Sequence, residues 1–216
     1  MNPSVWGPPL WRVMTDVAWK ADTDPDPNVQ KYAKLFFQSL AFLLPCKYCR
    51  RSYQKYLQQL EFPDTPQKKH YSWLRFVFDL KNLVNRKLGQ DTSLPWEVFL
   101  RRVFATSQSG SALQLMDLVA IFALNQKKNQ VEKKYLFQWI AVLPAVTPYP
   151  ELSALLLERP LDLKHLHTQA SFFQWWYSLY SKLQHCVTVP SLAQVLQKYQ
   201  NSRAQQLEPL ECPSPR

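Results

Sequence analysis

Three glycines, Gly7, Gly89 and Gly110, serve 216 residues. A chain so poor in glycine lacks the residue on which tight hairpin turns and phosphate-cradling loops depend. Long β-branched runs are scarce as well, while apolar residues recur at intervals of three and four. The expected fold class is therefore all-α. A glycine-rich dinucleotide fingerprint and a P-loop are excluded on the same ground. Aromatic residues make up 14% of the chain and include eight Trp, so a large core is available and wholesale disorder is excluded.

Taken in order, the periodicity predicts a first helix within Trp6 to Trp19, behind the Pro-rich opening Gly7-Pro8-Pro9. Residues 21–27 (ADTDPDP) read as a loop. A second helix, capped by Asn28, runs to Leu44 with Tyr32, Leu35, Phe36, Leu40 and Leu43 as its buried stripe. Pro45 ends it and opens a third helix bearing Cys46, Cys49, Tyr53, Tyr56 and Leu60 on one face. A long helix over about 69–88 stops at Gly89, and a short one, capped by Thr92 or Ser93, covers 95–105. The stretch 106–111 (TSQSGS) is the clearest linker. Residues 1–105 are therefore expected to form one domain and 106–205 a second helical region, with 206–216 a disordered tail. In the second region helices are expected over 113–124, 131–142 and 151–158, along an aromatic stripe from Phe172 to Leu183, and after a cap at Ser191.

The chemistry centres on Leu43 to Tyr56, LLPCKYCRRSYQKY. Cys46 and Cys49 are three apart at a helix start, where the backbone's partial positive charge favours thiolate. Lys47, Arg50 and Arg51 add cations nearby. This spacing suits a redox dithiol. It also begins half a zinc site, but Cys186, Cys212, His70, His165, His167 and His185 supply no second pair of ligands, so no metal is expected. An inert buried pair is the third reading. On the fourth helix Asn82 and Asn85 flank an apolar stripe, either as rim residues or as amides holding a ligand.

The net charge of +10 divides as +7 in residues 1–105 and +3 in 106–216. It is spread out rather than gathered in an arm, which favours a solvated basic surface over a nucleic-acid site. The aromatic stripe at helical spacing reads as core rather than a base-stacking platform. The N-terminal residues lack the pattern of a signal peptide, and the most apolar window is too short for a membrane span. The expectation is a soluble protein of the cytosol, without nucleic acid or a transmembrane segment, in which a reactive Cys pair serves catalysis.

Four pieces then line up: WGPPLW (6–11), LPCKYC (44–49), KNLVNRKLG (81–89) and the Trp-containing helix that follows. Together they resemble the flavin-linked sulfhydryl oxidases of the Erv/ALR family, especially their short viral branch, over about residues 4–100. The resemblance implies a four-to-five-helix FAD-binding bundle, often dimeric. It implies passage of electrons from protein thiols through Cys46 and Cys49 to FAD and oxygen, with release of hydrogen peroxide. Cys49 is then the flavin-proximal thiol and Cys46 the one that exchanges with the donor. Gly7, Trp11, Thr15, Lys81, Asn82, Val84, Asn85 and Lys87 are the implied cofactor-binding residues. The family commonly has His where this chain has Thr15 and Lys81. The implied partners are protein thiols, either virion proteins or a thioredoxin-like shuttle, and a second copy of the chain. The implied location is the host cytoplasm or the virion, not the secreted space. Cys212, in the tail, is read either as a shuttle thiol or as a stray one. A non-catalytic helical scaffold, its Cys pair binding a metal or a partner, is the second reading.

Overall fold

The computed structural model describes residues 3–63, 71–90, 95–106, 112–125 and 130–183, with Ala193 and Gln197 beyond them. The all-α expectation holds: among these residues there is no strand. Residues 3–106 form five helices, α1 (Pro3–Thr23), α2 (Pro27–Leu43), α3 (Lys47–Gln59), α4 (Trp73–Lys87) and α5 (Trp96–Thr106). A second helical region follows, with α6 (Ala112–Asn125), α7 (Gln130–Val146), α8 (Pro150–Glu158), a 3₁₀ turn over Leu163–Leu166, and α9 (Gln169–Leu183). The caps expected at Thr92, Ser93 and Ser191, most of the linker, Cys186, Cys212 and the tail lie outside the described residues.

Local chemistry moves several ends from where periodicity puts them. The second helix is capped by Asp26, not Asn28, because Pro27 takes the first helical position and the Asp26 carboxylate accepts the Asn28 amide. The first helix begins at Pro3, so Pro8 and Pro9 lie within it and two backbone bonds of its opening turns are given up. Ser72 caps α4, four residues later than the expected start. Its other end follows expectation. Gly89 has φ +66°, its amide donates to Arg86, and that of Gln90 donates to Asn85, a left-handed stop that suits glycine.

The second helix is buried on two faces, through Phe36, Phe37, Ser39, Leu40 and Ala41, while Lys31 is exposed and Lys34, Leu35 and Gln38 are half-buried. The single stripe expected from the sequence is therefore one face of two. Phe37 stacks on Trp73 of α4 (5.4 Å between centroids, 11° between planes), whereas Phe36 meets Trp139 of α7 at 5.5 Å. α7 lies along α2 and α6 rests on α1, so one buried cluster runs through both parts of the chain. Behind it the indole N–H of Trp176 donates to the carbonyl of Met116 at 2.8 Å, tying α9 to α6.

α1 and α4 run antiparallel, joined where the first ends and the second begins. The Asp22 carboxylate accepts the amides of Trp73 (2.7 Å) and Leu74 (2.9 Å), two of the donors that α4 leaves without an intrahelical partner. Gln30 of α2 donates to the carbonyl of Ala21 and accepts the indole N–H of Trp73, which brings three helices to one junction. Replacing a capping carboxylate typically costs about 1–2 kcal/mol. Asp22→Ala is expected to lower stability by that amount in urea unfolding, while Asp24→Ala, which removes a part-buried i,i+4 ion pair with Lys20, changes it by less than about 0.5 kcal/mol.

Candidate functional site

From the Asp22–Trp73 junction the two helices run on with equal rise. Fifteen residues on, about 22 Å away, Gly7 and Leu88 reach the same level. Between these far ends lies a cavity of about 860 Å³, bounded by α1, α3, α4 and α5. That volume falls within the ~300–1,000 Å³ typical of small-molecule sites.

Eight of the ten sequence-predicted site residues line it: Gly7, Trp11, Thr15, Cys49, Lys81, Val84, Asn85 and Lys87. On α4, positions 81, 84, 85 and 88 form one helical face turned to the cavity. Asn82 is half-buried on the same helix, outside that wall. Cys46 is also outside it and partly exposed.

The thiols are set by the way α2 ends. Leu44, pushed to extended backbone ahead of Pro45, turns the chain out of α2. α3 then docks back through its donors. The Tyr53 hydroxyl reaches the carbonyl of Phe37 at 3.0 Å, Gln54 the carbonyl of Ala41 at 3.1 Å, and the Arg50 guanidinium the carbonyl of Leu44 at 2.5 Å. Cys46 therefore does not sit within the helix, as its spacing suggested, but is the N-cap residue. Its sulfur accepts the Cys49 amide at 3.3 Å. The Cys49 thiol, above all, together with the amides of Cys49 and Tyr48, donates toward that sulfur and pulls the Cys46 thiol down to about 5, against a smaller opposing effect of burial.

Charge in the cavity is one-sided. Arg12, Lys81, Lys87 and Arg102 line it, and among the described lining residues there is no carboxylate. Burial, then the neighbouring Arg102 charge, holds Lys81 below the ordinary lysine range. Its ammonium lies 5.9 Å from the centre of the Trp11 ring. Lys87 reaches across to the Ser52 hydroxyl at 2.7 Å. Thr15 turns its hydroxyl back to the carbonyl of Trp11, so that donor is already used. Beside Gly7 the space is open, since an added Cβ would meet no protein atom within 4 Å.

Sequence reasoning had Tyr53 and Tyr56 on the thiol face of α3, though not as cavity walls. It missed Arg12 and Arg102. For Arg12 a signal existed, the Arg-to-Asp spacing of four between Arg12 and Asp16, which form an ion pair at 3.2 Å.

Residues 8–102 match the Erv1 / Alr family. A probable FAD-linked sulfhydryl oxidase of Acanthamoeba polyphaga mimivirus is 27% identical over 90 residues, covering 42% of this chain. The chain spans 63% of that relative's length. No solved structure gives a significant match.

The low pKa of Cys46 has a direct consequence in the reduced protein. A thiol whose pKa is depressed is ionised above that value and protonates below it. Alkylation of Cys46 by iodoacetamide, followed by mass spectrometry, should rise through about pH 5 and level off by neutrality. A rise delayed to the ordinary thiol range near pH 8.5 contradicts the cap geometry.

Proposed function

We propose, on the premise that residues 8–102 are a domain of the Erv1 / Alr family, that this chain is an FAD-dependent thiol oxidase that forms disulfides in protein substrates. The observation that carries the reading is the division of the Cys pair across one wall: Cys49 faces the cavity and Cys46 lies outside it, partly exposed.

FAD requires a slot with apolar walls for its ring system and positive charge for its diphosphate. The residues present fit both needs. Aromatic and aliphatic side chains make the apolar walls, Gly7 leaves room for close approach, and four cations stand without a carboxylate among the described lining residues. A buried Arg12 guanidinium nitrogen, Nη2, has no hydrogen-bond partner. Trp11, Lys81, Asn85, Lys87 and Arg102 would hold the cofactor, with Gly7, Thr15 and Val84 shaping its seat and Asn82 at its margin. Bound there, FAD supplies an acceptor for the electron pair of the dithiol and passes it to oxygen, giving hydrogen peroxide.

The chain's own residues do the exchange. In the oxidised pair a donor thiolate attacks the sulfur of Cys46, the Cys46–Cys49 bond breaks, and Cys49 departs as a thiolate at the cavity wall. A second donor thiolate then attacks the donor sulfur of the mixed disulfide. Cys46 leaves as a thiolate, and the donors are joined by a disulfide. The amides of Cys49 and Tyr48, which help to lower the Cys46 pKa, favour it as the leaving group in this second displacement. Two electrons have now moved onto the pair.

The family's dimeric habit supports a homodimer acting on protein thiols, and we propose as those thiols virion proteins or a thioredoxin-like shuttle, in the host cytoplasm or in the virion. We further propose that the oxidase unit is residues 1–105 and that 106–205 form a helical C-terminal domain supporting it.

Oxygen uptake with a dithiol tests the mechanism. Cys49→Ser is expected to lower the rate by at least about a hundredfold while the protein keeps its helical signal and its flavin. Uptake equal to that of the unaltered chain rules the mechanism out.

A further inference from the structure

The cavity walls come from α1, α3, α4 and α5, yet one of its cations is held by the second half of the chain. Arg12 lines the cavity, and its Nε donates at 3.2 Å to the Asp16 carboxylate one turn further along α1. Asp16 is only 6% exposed. Its Oδ2 also accepts the hydroxyl of Tyr149, at 2.5 Å and 133 positions away in sequence. Burial raises the pKa of the Asp16 carboxyl, whereas Tyr149 and then Arg12 act to keep it ionised.

Tyr149 is held firmly. It stands between Pro148 and Pro150 as the N-cap residue of α8, with φ −99° and ψ 95°. Its amide donates to the Thr147 hydroxyl, and Thr147 is itself 3% exposed. Prolines on both sides restrict the backbone. The phenol therefore meets Asp16 from a fixed direction, and Asp16 in turn fixes the guanidinium by its inner nitrogen.

The outer nitrogen is left over. Nη2 of Arg12 is buried with no hydrogen-bond partner. Among the described residues the other such atom is the indole nitrogen of Trp139, in a side chain packed between Phe36 and Phe122. Arg12 differs because other atoms of its residue line the cavity, although Nη2 itself is closed to solvent. A guanidinium held at the wall of a cavity with no carboxylate among its described lining residues favours an anionic oxygen there.

We propose that Tyr149 is a positioning residue for this cavity, acting through Asp16 to hold Arg12 so that the guanidinium takes a phosphate oxygen of the bound dinucleotide. This rests on the flavin reading above and deepens it. The helical second half completes the anion site of the first, and the preference of the cavity for a phosphorylated flavin depends on it. Without the phenol the carboxylate loses a buried donor, and its hold on Arg12 is no longer directed by two partners.

The test uses the full chain, stripped of flavin and titrated with FAD and, separately, with riboflavin, which has no phosphate. Tyr149→Phe and Arg12→Gln are each expected to weaken FAD binding about tenfold and to leave riboflavin binding unchanged. The double variant should be no weaker than Arg12→Gln, because Tyr149 acts through Arg12. Melting temperatures are measured alongside. A lower melting temperature with an unaltered ratio of FAD to riboflavin affinity means that Tyr149 is only structural, and overturns the proposal. Equal weakening of both flavins overturns it too. If Arg12→Gln does not fold, Tyr149→Phe decides alone. In either of these failures the unaltered chain still binds FAD, and the oxidase reading stands. If the unaltered chain takes up no FAD, that reading falls and this proposal with it.

Discussion

The site depends on the junction at Trp73. Its amide and that of Leu74 are capped by Asp22 from the end of α1, its indole donates to Gln30 of α2, and its ring stacks on Phe37. These contacts pin α1, α2 and α4 together at one end. The cavity lies between the other halves of α1 and α4, closed by α3 and α5. The junction thereby positions a ligand-sized space without a loop insertion. It also sets the register of the walls: Trp11 and Val84 both lie eleven residues from the junction, counted from residues 22 and 73, which places residues of both helices at matching depth.

Charge then distinguishes this gap from ordinary core. Half-burying Lys81 beside the Arg102 charge, with no carboxylate among the described lining residues, is unfavourable for the empty fold. The depressed Lys81 pKa reports that cost. An anionic ligand offsets it. The thiol pair shows the opposite economy, because negative charge on Cys46 is stabilised locally by backbone and thiol donors at the start of α3. Thus the pair can carry charge at the surface of the domain while the cavity beside it stays positive.

Much of this was legible in the sequence because it is local. The Gly89 stop, the Pro45 break, the apolar periods and the thiol spacing are properties of a few neighbouring residues, and each leaves its signature in the chain. Lys81, Val84 and Asn85 were legible only through the family resemblance, since helical periodicity grouped Asn85 with Asn82, which lies outside the cavity wall. What stayed hidden is long-range. A stripe on α2 does not reveal that α7 covers a second face, and nothing near Asp22 indicates that its partners lie fifty residues on. The sequence around Tyr149 shows only turn chemistry; that its hydroxyl reaches Asp16 is a fact of tertiary packing. The position of Cys46 was misjudged by one residue, from first turn to cap, because a sulfur accepting the Cys49 amide competes with helical backbone at that point.

The central claim is that the space beside Cys49 is a flavin seat. The most direct measurement is the visible absorption spectrum of the purified full chain after incubation with FAD and gel filtration. The account predicts a yellow protein carrying about one flavin per chain, with its band bleached by a dithiol under anaerobic conditions. A colourless protein that retains no added FAD contradicts it.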